Sequence, residues 1–170
     1  MNLQDVRTLV DYHYWGRDRV LEAVEQLTPA QFTQALGNSF ESIRDTLVHF
    51  YWADRIWGER WQGRVPDIVF EPVAFPDVAS LRRAWTAHEQ EIRALVERLG
   101  EVGIQQPITY RSLSGKPSTE LFWQLLQHVV NHGTYHRGQV TTLLRQLGAA
   151  PPKSIDLITY YRERNAISRA

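Results

Sequence analysis

Over residues 81–99 one side-chain stripe recurs at steps of four, three, four, three and four: Leu81, Trp85, His88, Ile92, Leu95 and Leu99. That spacing follows the 3.6-residue turn of an α-helix and lays a single seam along one face. A helix carrying such a seam must bury it against other elements. Three more segments repeat the pattern, which restricts the chain to a helical architecture. Leu3, Val6, Val10, His13, Arg17, Val20, Val24 and Leu27 describe a first helix of about 25 residues. It stops at Thr28-Pro29, where threonine can cap and proline can open a short turn through Phe32, and Gly37-Asn38 marks a loop. A second helix begins near Ser42, with Asp45 as an imperfect capping-box partner, and carries Ile43, Leu47, Phe50, Asp54, Trp57 and Trp61. Asp77 or Ser80 caps the helix of residues 81–99, and Gly100 and Gly103 end it. Ser118 is expected to cap a fourth long helix over about 119–147, closed by Gly148.

Four long amphipathic helices predict an all-α fold, a four-helix bundle with long connections at 63–76 and 100–118. The first connection is punctuated by Gly and Pro. The second contains a β-like piece, Ile108 to Tyr110, and turn residues Ser114-Gly115, which reads as a small hairpin or an extended connection. After Pro151-Pro152 a short C-terminal helix is expected over about 155–164. The length of 170 residues suits one domain, 1–170, and no repeat or linker divides it.

Composition removes several classes of function. Nineteen basic residues balance nineteen acidic ones, and no basic stripe stands out, which argues against nucleic acid as a partner. No cysteine is present, so disulfides, thiolate zinc sites and a cysteine nucleophile are excluded. A transition-metal site would have to use histidine and carboxylate. The opening residues lack a signal-peptide pattern and no run approaches 18 apolar residues, so a cytoplasmic location with no membrane partner is expected.

The histidines carry the functional argument. His128, His132 and His136 stand at i, i+4 and i+8 in HVVNHGTYH, on one face of the fourth long helix. Measured against the centre of that helix's apolar face, His136 lies about 30° away, His132 about 65° and His128 about 105°. His132 and His136 therefore point into the bundle and His128 sits at its edge. A single inward histidine is ordinarily a hydrogen-bonded core residue. Two neighbouring imidazoles one turn apart both need polar partners in a dry interior, and one metal ion satisfies both. A third ligand must come from another helix. His49 shares a semi-apolar face with Trp52, Ala53 and Ile56, while His13 and His88 lie directly on their own seams. Asp54 and Glu89 also compete, and spacing leaves the choice open. The ordinary reading for His13 and His88 is a buried histidine bonded to a neighbour. Trp52, Trp57 and Trp61 read as core or interface rather than pocket. Arg137 and Gln139 are expected to make helix–helix or interface hydrogen bonds, and Asn131 and Tyr135 to pack near the site.

The run HVVNHGTYHRGQVTTLLRQLG, residues 128–148, resembles the signature of the DinB/YfiT-like family of metalloenzymes. This damage-inducible family is distinct from the DNA polymerase of similar name. DYHYWGRDRVLEAVEQLTPAQF, SFESIRDTLVHFYWADRIWGER and DLITYYRE resemble its first, second and C-terminal helices, so the likeness runs through nearly the whole chain. It implies a metal triad at His49, His132 and His136, and thus favours His49 as the third ligand.

Three neutral imidazoles leave coordination positions open, the pattern of a catalytic rather than a closed structural site. Zinc or nickel is the first expectation for the cofactor, with iron and manganese also compatible with imidazole donors. Such an ion can polarise a substrate oxygen or lower the pKa of a water. No glutamate stands between His132 and His136, unlike the HExxH proteases, and no general base is evident. The family likeness implies chemistry on a low-molecular-weight thiol. The expected function is a metal-dependent enzyme acting on small molecules, a thiol-dependent S-transferase or a hydrolase. Its rival is a non-catalytic, metal-stabilised bundle serving as a stress-related binding or dimeric scaffold protein. The expected partners are a small-molecule substrate and a second copy of the chain.

Overall fold

A computed structural model describes residues 1–67, 69–112 and 115–167, with the Ile167 side chain left aside. The elements run α1 (Leu3–Val24), α2 (Pro29–Thr33), α3 (Ile43–Trp61), α4 (Val78–Gly103), β1 (Pro107–Arg111), β2 (Pro117–Leu121), α5 (Phe122–Gln146) and α6 (Leu157–Ile167). The mostly helical bundle expected from the seams is the fold observed. Each long helix packs on two others: α1 and α3 both contact α5 and α4. Their seams meet in a core that includes Val6, Leu21, Leu47, Trp85, Phe122 and Val140, each at most 1% exposed.

Local chemistry sets the helix ends. Asn2 and Asp5 form a reciprocal capping box on α1, at 2.8 and 3.0 Å. Thr28 and Gln31 do the same for α2, with Pro29 pre-set for the first turn. Ser42 accepts from the Asp45 amide at 3.1 Å, and Asp45 turns to Arg44 instead of completing the box. Asp77, not Ser80, caps α4, accepting from the Ser80 amide at 2.7 Å. Gly100 interrupts α4 with φ of 59°, a left-handed conformation that favours glycine, and one further turn follows it.

Ser118 does not cap the fourth long helix. Residues Pro117–Leu121 form β2, paired antiparallel with β1 so that Thr109 faces Thr119, and α5 starts only at Phe122. The two threonine hydroxyls bond across the pair at 2.8 Å, and Ser118 lies opposite Tyr110. Alternating half-buried and exposed positions along both strands give the β pairing one face to pack, which outweighs the capping tendency of a lone serine. Gln124 Oε1 instead accepts from the Leu121 amide at the start of α5. Of the two turn residues expected here, Ser114 lies outside the described residues. The C-terminal helix begins at Leu157, slightly later than its spacing suggests, and seats Tyr160 against Tyr12 and Trp15 of α1.

Candidate metal centre

The α3 and α5 helices bring His49, His132 and His136 together. One ring nitrogen from each lies within 4.8 Å of the other two, and among the described residues no carboxylate joins the group. His132 and His136 are one turn apart on α5, and their Nε2 atoms are 2.9 Å apart. The rings of His132 and His136 stand 5.6 and 4.8 Å from that of His49, centre to centre. Two nitrogens bound tetrahedrally to one ion at ~2.05 Å lie roughly 3.3 Å apart, a spacing the His132–His136 pair already approaches at 2.9 Å.

The surroundings keep these imidazoles neutral. Burial pushes the pKa of His49 down to about 4, helped by repulsion from His136. His132 falls to about 4 from burial and from the neighbouring histidines. His136 is lowered by burial, against the opposing pull of Gln139. At neutral pH each ring therefore offers a lone pair, as a metal requires.

Gln139 decides which nitrogen of His136 is free. Its Oε1 lies 2.7 Å from His136 Nδ1 and can only accept, so Nδ1 carries the proton and Nε2 presents a bare lone pair towards His132. The amide is oriented in turn by its Nε2, which donates to the Tyr135 hydroxyl at 3.1 Å and to Ser39 Oγ at 3.4 Å. This is the outer bond that ligating histidines characteristically make. Gln139 was expected at a helix–helix contact, and its place three residues beyond His136 was the available signal for this role. Arg137 does make an expected helix–helix bond: fully buried, it reaches the His13 carbonyl of α1 at 3.4 Å, and within α5 it donates to Thr134 Oγ1 at 2.8 Å.

Aromatic rings wall the group. Phe40 stacks on His49 at 4.2 Å, Phe50 lies nearly parallel to His136 at 6.0 Å, and Trp52 and Phe70 each stand about 6 Å from His49. Phe40 and Phe70 belong to connecting segments, where no periodicity could have flagged them. The three tryptophans divide. Trp61 is core, Trp57 packs between Tyr110 and His128, and Trp52 lines an open cavity.

The other candidate ligands have different partners. His13 Nε2 bonds Asp54 Oδ2 at 3.0 Å, the Trp85 indole donates to the same oxygen at 2.8 Å, and His88 Nε2 meets the Asp54 carbonyl at 3.1 Å. Burial pushes the Asp54 carboxyl up, yet His13, His88 and Trp85 outweigh it and hold it below the usual aspartate value. Glu89 is engaged by Arg17 and Arg93. His128 is exposed, as its position on the α5 wheel implies, and takes no place in the group.

A helical bundle whose core edge carries three converging neutral histidines defines a class of fold with the donor set of a metal site. The model of the DinB family matches residues 1–165, and the chain belongs to that family. It is 31% identical over 152 residues to Protein DinB of Bacillus subtilis (strain 168), covering 84% of this chain and 86% of the relative. Its fold resembles the crystal structure of a DinB-like protein from Bacillus cereus ATCC 10987, with a TM-score of 0.58. That match has 18% identity and covers 86% of this chain and 95% of the other. No described helix is long and apolar enough to cross a membrane.

Proposed function

We propose that His49, His132 and His136 hold one divalent transition-metal ion, zinc or nickel first, and that the chain is a metal-dependent enzyme acting on small molecules. The observation that carries this reading is the convergence of three neutral imidazoles with no fourth protein donor beside them among the described residues. Three ligands from protein leave room for substrate, whereas a purely structural site closes with four. An ion bound there would supply Lewis acidity to a substrate oxygen or sulfur. The chain's own residues do the rest. Gln139 fixes the His136 tautomer, and Phe40, Phe50 and Phe70 pack against the rings of His49 and His136. Chemistry on an external low-molecular-weight thiol, by S-transfer, is the reading preferred over hydrolysis, because among the described residues no carboxylate joins the group to act as a base for water.

Cobalt(II) substitution tests the proposal against its scaffold rival. Adding a small thiol to the cobalt-loaded protein should produce a sulfur-to-cobalt charge-transfer band, followed by turnover in a screen of thiol and electrophile pairs. A cobalt spectrum indifferent to thiols and to small anions would mean a closed, structural site.

A further inference from the structure

A second feature lies along the same face of α3. From His49 the residues Trp52, Ile56 and Arg60 follow at steps of three, four and four, so they share one stripe of the helix. Eleven residues at 1.5 Å each put Arg60 about 16 Å along the axis from His49. Beside this stripe opens a cavity of about 580 Å³, bordered on its other sides by the segment 63–66 after α3 and by the β1–β2 hairpin. That volume falls within the range of ordinary small-molecule sites, roughly 300–1,000 Å³.

The lining has an unusual charge pattern. Its walls are apolar and aromatic at Trp52, Ile56, Pro66 and Tyr110, three arginines (Arg60, Arg64 and Arg111) contribute to it, and no aspartate or glutamate does. Arg64 is neutralised by Glu59 at 2.5 Å. Arg111 donates to the Gly115 carbonyl and is exposed. Arg60 is different: it is 8% exposed, its Nε is buried without a hydrogen-bond partner, and no carboxylate pairs with it among the described residues. Its guanidinium lies over the rings of Trp57 and Tyr110, at 4.7 and 5.1 Å, which steadies the cation without using its N–H groups. Burial also holds its pKa below the usual arginine value. A buried cation left without an anion is costly, and a guanidinium fork is matched by the two oxygens of a carboxylate.

We infer that this cavity is a binding site for a small organic carboxylate with an apolar body, its carboxylate paired with Arg60 and its other end directed past Trp52 towards the histidine group. The ligand's direction rests on the metal-centre reading above. Its pairing with Arg60 does not.

The probe is 3-phenylpropanoate, titrated into the purified full-length chain and followed by tryptophan fluorescence, once with EDTA and once with one equivalent of zinc. Its uncharged isostere, 3-phenylpropanamide, is the comparison. Loss of a charge-assisted pair predicts that Arg60→Gln weakens carboxylate binding by about ten- to hundredfold, leaves amide binding unchanged, and that Arg60→Lys restores part of the loss. In the unsubstituted chain, the Arg60 Nε–H resonance should shift with the carboxylate and not with the amide, a readout independent of how the variants fold. Equal carboxylate affinity in Arg60→Gln, parallel loss of both probes, or an unmoved Arg60 resonance would overturn the site. Carboxylate binding that persists in EDTA while the protein fails to take up zinc would sink the metal reading alone. Zinc uptake with no Arg60-dependent binding would sink the cavity assignment alone.

Discussion

Gly133 sits on α5 between His132 and His136, and replacing it with alanine tests how tightly the histidine group is backed. A Cβ at this position would lie 2.8 Å from His13 Cε1 and 2.8 Å from Phe50 Cζ, well inside van der Waals contact. Neither ring can yield cheaply. His13 is 3% exposed and bonded to Asp54 at 3.0 Å, while Phe50 is 1% exposed and meets Trp85 at 87° and 4.7 Å. Overpacking of such a core costs about 1–3 kcal/mol. Two buried rings met at once put this site in the upper part of that range, about 2–3 kcal/mol, and alanine regains about 0.8–1 kcal/mol of helix propensity over glycine. Gly133→Ala should therefore destabilise the chain by about 1–2 kcal/mol and lower the melting temperature by about 2–8 °C for a domain of this size. Gly138, on the same helix, is exposed and a Cβ there meets nothing within 4 Å. Gly138→Ala should thus stabilise by up to about 1 kcal/mol. Thermal and urea unfolding in EDTA measures both without a contribution from bound metal. If Gly133→Ala matches or exceeds the parent in stability, or shifts in the same direction as Gly138→Ala, the packing argument fails.

Other consequences follow from the same geometry. Gln139→Ala should weaken zinc affinity by about ten- to hundredfold, read by competition with a chromophoric chelator, while Gln139→Glu, which still accepts from His136 Nδ1, should keep it near the parent. An unchanged affinity in Gln139→Ala would show that the 2.7 Å contact does not set the tautomer. The metal-free chain should lose stability in acid. The folded-state values of about 4 for His49 and His132 lie below the ordinary 6.5, so the unfolded chain takes up protons first as pH falls. Denaturant midpoints should stay level above about pH 6.5 and decline from there towards pH 4, a slope that His49→Ala and His132→Ala should each reduce. A midpoint flat over that window would contradict the burial of the two rings.

How much of this was legible in the sequence depends on what each signal encodes. The seam of Leu81, Trp85, Ile92 and Leu95 predicts burial directly, since periodicity reports which face turns inward, and these residues are all buried. The α5 wheel likewise ordered His136, His132 and His128 by depth, and the structure finds them buried, half-buried and exposed. Periodicity does not report partners. His13 and His88 lie on better seams than His49, yet Asp54 from α3 gathers both into the core. Only the family likeness favoured His49. The start of α5 was misplaced because Ser118 carries a cap's chemistry, whereas the pairing with β1 is a contact distant in sequence. Phe40 and Arg60 carry no sequence signal for similar reasons. Phe40 lies in a loop, and Arg60 becomes conspicuous only when the hairpin covers it and leaves its guanidinium without a carboxylate among the described residues.

The central claim is that three histidines on two helices hold one ion. Elemental analysis of the purified chain and of His49→Ala, His132→Ala, His136→Ala and His128→Ala, each after dialysis against zinc, tests it most directly. The account predicts about one zinc per parent chain and per His128→Ala chain, with loss of stoichiometric zinc in the other three. Stoichiometric zinc retained in all three of those variants would contradict it.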